Sequence, residues 1–184
     1  MIPLQNKPHT VWNIPKKIFV KHNVLTTQQC QTIRDWASSH VKITTNKYHR
    51  HFQTQYQSCL LPHDHWAVEL LQSLWDDAKQ YYKFNLEFIE PYELKKYSIG
   101  DFFQSHIDNY PGLDIDLDRK LTMTLQLSDP TEYHSGSLKI FQHSQPKTQG
   151  TAIIYPSFFS HQVEKIQSGT RWAMMSWAWG PYWQ

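Results

Sequence analysis

Tyr97-Ser98-Ile99-Gly100-Asp101-Phe102-Phe103-Gln104-Ser105-His106-Ile107-Asp108 is the stretch on which the reading of this 184-residue chain turns. In an extended strand, residues i and i+2 point to one face, so His106 and Asp108 can grip a single ion from one rigid element. His161 and Arg171, ten residues apart, form the second piece. His161 follows Tyr155-Pro156-Ser157-Phe158-Phe159-Ser160, a turn between two strand patterns. Antiparallel pairing can bring it to His106 and Asp108. Two imidazoles and one carboxylate leave half of an octahedral sphere open, a donor set suited to iron(II). Arg171 lies across the short connection Ser168-Gly169 and should sit on the neighbouring strand. If it is buried it needs an anion, because an unpaired buried charge costs several kcal/mol. That anion is either an internal carboxylate or a bound one held by two parallel hydrogen bonds.

The pattern around these pieces has a period of two. Leu121, Met123, Leu125 and Leu127 alternate with Thr122, Thr124 and Gln126, a strand with two distinct faces, broken by Ser128-Asp129-Pro130. Leu86, Phe88, Tyr92 and Leu94 lead by strands into Tyr97. Further strands are expected over 137–141, 152–155, 161–166 and 171–179, with turns at Gly136, Pro146, Pro156 and Gly169. Upstream, a short strand fits 17–21, and 41–61 reads as extended. Thr26 or Thr27 caps a helix over 28–40, with Cys30, Ile33, Trp36 and Ala37 at helical spacing. A longer helix, 64–84, carries Trp66, Ala67, Leu70, Leu71, Leu74, Trp75, Ala78 and Tyr82 as a core stripe backing a sheet. The fold class expected is α+β, mainly β: a jelly roll with two helices packed on one sheet. With no internal linker or repeat, residues 1–184 read as a single domain. Its first 85 residues form a helical annex with supporting strands, and 86–184 form the jelly-roll core.

Composition narrows the function classes. The chain is 40% hydrophobic with a net charge of +2, enough for a core and too balanced for a clustered nucleic-acid face. Lys16, Lys17 and Lys21 read as solvated surface. Two cysteines, Cys30 and Cys59, give neither a disulfide framework nor a zinc site, which suits a reducing, cytoplasmic setting. The opening residues lack the apolar core of a signal peptide, and no window has the ~18 apolar residues of a membrane span.

Several histidine and aspartate clusters are decoys. Asp114-x-Asp116-x-Asp118 imitates a calcium loop but has Arg119 and Leu125 where glycine and glutamate are required; a mobile lid is the expectation there. His49-Arg50-His51 and His63-Asp64-His65 lack a third ligand, and the latter sits at a helix start. Trp172, Trp177, Trp179 and Trp183 read first as core packing for alternate members.

Tyr97-x-x-Gly100-x-x-Phe103-x-x-His106-x-Asp108, followed by His161 and Arg171, resembles the prolyl-4-hydroxylase-like branch of the iron(II)/2-oxoglutarate dioxygenases. Thr122–Pro130, Ser135–Leu138, Gly150–His161 and Gly169–Trp177 are similar to that family's successive core strands, so the resemblance covers roughly 86–179. It implies a double-stranded β-helix, with His106, Asp108 and His161 as iron ligands. It implies that Arg171 pairs with the distal carboxylate of 2-oxoglutarate, with Tyr97 and Gln126 as further cosubstrate contacts. Relatives often carry Ser or Thr two or four residues after the arginine, where this chain has Ala173 and Met175. The resemblance further implies Fe(2+) and 2-oxoglutarate, with ascorbate as an auxiliary reductant, and dioxygen as a reactant. An unactivated carbon would be hydroxylated, with succinate and CO2 as co-products. The leading substrate is a prolyl residue in a peptide or protein, a guess that rests on fold-level analogy. The segment 48–56 and the loop 109–118 would flank the mouth and admit it. A free amino acid or small metabolite is the alternative substrate. A cupin-like metal-binding jelly roll of different activity, or a non-catalytic domain that kept the fold, is the alternative protein. No nucleic-acid or membrane partner is expected.

Overall fold

The structure, a computed structural model, describes residues 17–44, 54–109 and 116–182. In chain order the elements are β1 (Phe19–Lys21), α1 (Thr27–Ser38), β2 (Lys42–Thr44), β3 (Thr54–Leu60), α2 (Trp66–Tyr82), β4 (Phe88–Ile89), β5 (Glu93–Tyr97), β6 (Phe102–His106), β7 (Leu117–Gln126), β8 (Tyr133–Ser135), β9 (Leu138–Ile140), β10 (His143–Ser144), β11 (Ala152–Pro156), β12 (His161–Val163), β13 (Ile166–Gly169) and β14 (Arg171–Pro181). The expectations for 45–53, the clusters around His49 and Asp114, Lys16 and Trp183 lie outside the described residues.

Both helices start where local chemistry allows. Thr26 caps α1 in a reciprocal box with Gln29, its hydroxyl accepting from the Gln29 N–H at 3.2 Å. His65 caps α2 by accepting from the Ala67 N–H at 3.3 Å, which accounts for one histidine of the 63–65 cluster. α2 stops at Lys83, which adopts the left-handed conformation.

The strands form two antiparallel layers of a jelly roll. One runs β1-β11-β7-β14-β5-β3, and the other runs β3-β6-β12-β9-β10. β3 joins them, pairing with β5 over Gln57–Leu60 and with β6 at Thr54 and Gln55. Alternation along the central strands separates two interiors. Outward-facing Leu94, Leu121, Met123, Leu125, Ile154, Trp172 and Met174 pack with Cys30, Ile33, Leu71, Leu74 and Trp75 of the helices. Inward-facing Tyr97, Ala173, Met175 and Trp177 line the space between the layers with Tyr56 and Val163. β14 is buried on both faces along Arg171–Gly180, which is why it reads as an almost unbroken apolar run.

Three boundaries differ from the sequence reading. β6 ends at His106, so Asp108 lies beyond the last strand residue; its N–H instead donates to the Ser157 carbonyl at 2.8 Å. The single strand expected over 161–166 is two. β12 pairs with β6 and β9, then the chain leaves that layer and β13 pairs with β8. β7 begins four residues before Leu121, so Asp118 is a buried strand residue and Asp116 an exposed one just ahead of it. Among the described residues no helix is long and apolar enough to cross a membrane.

Candidate metal centre and carboxylate site

The two layers bring His106, Asp108 and His161 together. His161 is the direct cross-strand partner of His106 in the β12–β6 ladder. Asp108 is carried back toward them by its bond to Ser157, in the turn that precedes β12. One donor atom of each residue lies within 4.8 Å of the others. Both histidine Nε2 atoms face the carboxylate, His106 at 3.3 Å from Oδ1 and His161 at 3.3 Å from Oδ2.

The tautomers follow from the other ring nitrogens. His106 Nδ1 is 2.7 Å from the Gln104 carbonyl and His161 Nδ1 is 3.0 Å from the Phe159 carbonyl. A carbonyl can only accept, so each Nδ1 carries a hydrogen in the neutral ring and each Nε2 presents a lone pair. Two lone pairs therefore converge on a carboxylate, an arrangement that asks for a cation between them. Burial favours the neutral ring of His106, lowering its pKa against the pull of Asp108. Burial would raise the Asp108 carboxyl, but imidazoles that also carry a hydrogen on Nε2 hold it well below the usual carboxylate range. Asp108 is also held from behind: Oδ2 accepts from Thr122 Oγ1 at 2.8 Å and from the Trp177 indole N–H at 2.8 Å. These donors fix the carboxylate as outer-layer partners fix metal ligands.

Arg171 opens β14 and faces Tyr97 directly across the β14–β5 ladder. The turn before it depends on Gly169, whose φ is +76° and where a Cβ would lie 2.0 Å from the Glu132 carbonyl oxygen. The guanidinium is fully buried. Its Nη2 donates to Gln126 Oε1 at 3.0 Å, and the Gln126 amide in turn donates to the Pro146 carbonyl at 3.0 Å. Among the described residues, Arg171 Nε, Arg171 Nη1 and the Tyr97 hydroxyl are buried with no hydrogen-bond partner. Burial pushes the Tyr97 phenol up to about 12 against the pull of Lys95 and Arg171, so it remains a donor. Three unpaired donors beside one buried cation fit a bound carboxylate.

A cavity of about 290 Å³ opens on the triad, walled by Tyr97, Thr124, Tyr155 and Trp177 among others. Tyr97 reaches it; Arg171 and Gln126 are not on its wall. The sequence residues thus fall into two groups, His106/Asp108/His161 and Arg171/Tyr97/Gln126, with Tyr97 joining the second to the cavity. Tyr56 closes the segment 48–56 expected at the mouth and does line the cavity, whereas Thr122, Trp177, Glu93, Lys95 and Arg119 were not anticipated as site residues. A signal existed for two of them: Trp177 is six residues past Arg171 and Thr122 four before Gln126, even spacings that put each on the inward face.

Residues 92–179 match the model of the 2OG-Fe(II) oxygenase superfamily. That stretch, just under half of the chain, takes in the triad, Tyr97, Gln126 and Arg171, and over it the chain is similar to that superfamily. Among curated proteins it is similar to a PKHD-type hydroxylase of Methylobacterium nodulans, 33% identical over 45% of this chain and 40% of that protein. A PKHD-type hydroxylase of Acinetobacter baylyi is 28% identical over 84% of this chain and 74% of that protein. The chain spans about two fifths of the length of the first curated relatives it matches. Its fold is that of a viral collagen prolyl hydroxylase from Paramecium Bursaria Chlorella virus-1, with TM-score 0.73 and 14% identity over 89% of this chain and 96% of that one. A prolyl-4-hydroxylase of Pseudomonas putida gives TM-score 0.67 and 15% identity over 88% and 91%.

Proposed function

We propose that this protein is an Fe(II)- and 2-oxoglutarate-dependent dioxygenase that hydroxylates an unactivated carbon, foremost a prolyl residue in a peptide or protein. One observation carries the reading: two histidine lone pairs converge on one carboxylate, and Arg171 Nε, Arg171 Nη1 and the Tyr97 hydroxyl are buried donors with no acceptor among the described residues. His106, Asp108 and His161 would hold Fe(II). Bound there with 2-oxoglutarate and dioxygen, the metal supplies the oxidising chemistry that releases succinate and CO2 and inserts one oxygen atom into a C–H bond. In this reading 86–184 is the catalytic core and 1–85 a helical annex within one domain. The two free cysteines suit a reducing compartment such as the cytoplasm.

The chain's own residues bind, orient and exclude water. The Gln104 and Phe159 carbonyls hold both imidazoles in the tautomer that offers Nε2. Trp177 and Thr122 hold Asp108 Oδ2 in place. Arg171 and Tyr97 would take the distal carboxylate of 2-oxoglutarate, and Gln126 orients the guanidinium through its carbonyl oxygen. With Ala173 and Met175 offering no hydroxyl, Tyr97 supplies the second contact. Phe103, Val163 and Met175 give the cavity an apolar side.

The prolyl substrate is supported by similar structures, among them a Trichoplax adhaerens prolyl hydroxylase solved with a peptide fragment, TM-score 0.60 at 13% identity. A free amino acid is the second reading, favoured by the small cavity. The test has two parts. Fe(II) and 2-oxoglutarate mixed without air should give a visible charge-transfer band. In air, succinate should be released, with a gain of one oxygen atom's mass in the substrate. A silent spectrum with iron demonstrably bound would overturn the reading.

A further inference from the structure

Tyr97, Lys95 and Glu93 follow one another on the inward face of β5, opposite Arg171, Ala173 and Met175. The small Ala173 leaves room for the lysine. Lys95 is almost fully buried, yet it lies on the cavity wall. Its Nζ is 3.3 Å from Glu93 Oε2 and 4.6, 5.2 and 5.6 Å from the ring centroids of Tyr56, Phe103 and Trp177. Arg119 also lies against Trp177, 4.2 Å from the ring, and is held by both oxygens of Glu90, at 2.6 and 2.8 Å. The two cations differ in how far they are used. Arg119 is in a bidentate pair. Lys95 has three N–H donors and, among the described residues, one carboxylate at ion-pair distance.

A charge in this position has no reason in packing. Methionine or leucine would fill a wall of three aromatic rings without the cost of desolvating an ammonium, which runs to several kcal/mol. Burial opposes the charge, but Glu93, Tyr56, Tyr97 and Asp108 keep the ammonium protonated. A dication at the triad would take up the charge of Asp108, leaving Lys95 one carboxylate and spare donors at the cavity.

We infer that Lys95 is a substrate-binding residue: its ammonium donates to the oxygen borne next to the reacting ring, a peptide carbonyl or a free carboxylate, and seats that ring against Tyr56, Phe103 and Trp177. The inference rests on the prolyl reading above for the ring and on the cavity geometry for the donor. It assigns the recognised group as an acceptor oxygen.

The test uses the iron-loaded protein, with a C-terminally amidated proline-rich peptide and free L-proline as probes. For whichever probe raises succinate release in the wild type, Lys95→Met should raise KM at least tenfold, and Lys95→Arg should recover part of the loss. The peptide responding would name the carbonyl as the acceptor, and free proline the carboxylate. The anaerobic charge-transfer band should persist in Lys95→Met, which separates loss of substrate from loss of cosubstrate. An unchanged KM would overturn the inference. The neutral pair Glu93→Gln/Lys95→Met reads the alternative that the ammonium serves the fold. Its melting temperature should equal or exceed that of the wild type, and a fall of more than about 4 °C, roughly 1 kcal/mol or more, would overturn the inference. If the band forms and neither probe raises succinate release, the prolyl reading falls, and the melting temperature alone decides for or against Lys95.

Discussion

Trp177 donates its indole N–H to Asp108 Oδ2 at 2.8 Å, across 69 residues of chain. A residue of the last strand thus holds a carboxylate that stands just past the end of β6. Trp177→Phe keeps the aromatic wall and removes that donor. Iron(II) affinity should fall by about tenfold to 100-fold, the usual effect of losing an outer partner of a metal ligand. Anaerobic metal titration checks this; an unchanged affinity would show that Thr122 alone positions the carboxylate.

Arg171 bears two buried nitrogens, Nε and Nη1, whose hydrogens find no acceptor among the described residues. Each such group costs about 1–3 kcal/mol. Without 2-oxoglutarate, Arg171→Met should therefore be at least as stable as the wild type, the orphaned Gln126 carbonyl offsetting only part of the gain. With 2-oxoglutarate at 100 times its Kd, the wild type should gain about 2.7 kcal/mol and the variant nothing. Thermal melts with and without the keto acid measure both; equal ligand-induced shifts would reassign the arginine.

Cys30 is buried in the contact between α1 and the sheet, and burial pushes its thiol up to about 11 from 9.0, against the Gly150 backbone that lowers it. A folded-state pKa raised above the unfolded one gives stability that is complete below pH 9 and is lost as pH rises through 11. Cys30→Ala should flatten the stability profile across that window relative to the wild type. Urea midpoints between pH 8 and 11 test it, parallel profiles being the contrary result.

Leu71 is fully buried where α2 meets the sheet. Leu71→Ala should cost about 2–5 kcal/mol. Urea unfolding reads this directly, and a loss below about 1 kcal/mol would mean that the helix packs more loosely than its contacts imply.

Much of this was legible in the chain. Helical spacing marked Cys30, Ile33, Leu71 and Leu74 as one side of a core, and α1 and α2 fall within two residues of their expected ends. The alternation from Leu121 to Gln126 marked the faces of β7 correctly. The break between β12 and β13 was hidden because both halves carry strand-like residues and only their partners differ. Nothing local marks Lys95: in Glu-Leu-Lys-Lys-Tyr it differs from Lys96 only in the face of β5 it takes, yet Lys96 is half-buried and Lys95 is enclosed.

By itself the sequence determined the class of fold and which side chains could serve as ligands, because periodicity follows from backbone geometry and His106, Asp108, His161 and Arg171 are chemically particular side chains. Only the tertiary structure decided what surrounds them. The strand register places Trp177 and Thr122 behind Asp108, Tyr97 against Arg171, and Lys95 opposite Ala173. Those pairings span tens of residues and depend on which strands become neighbours, a choice made by burial of the whole sheet rather than by any local stretch.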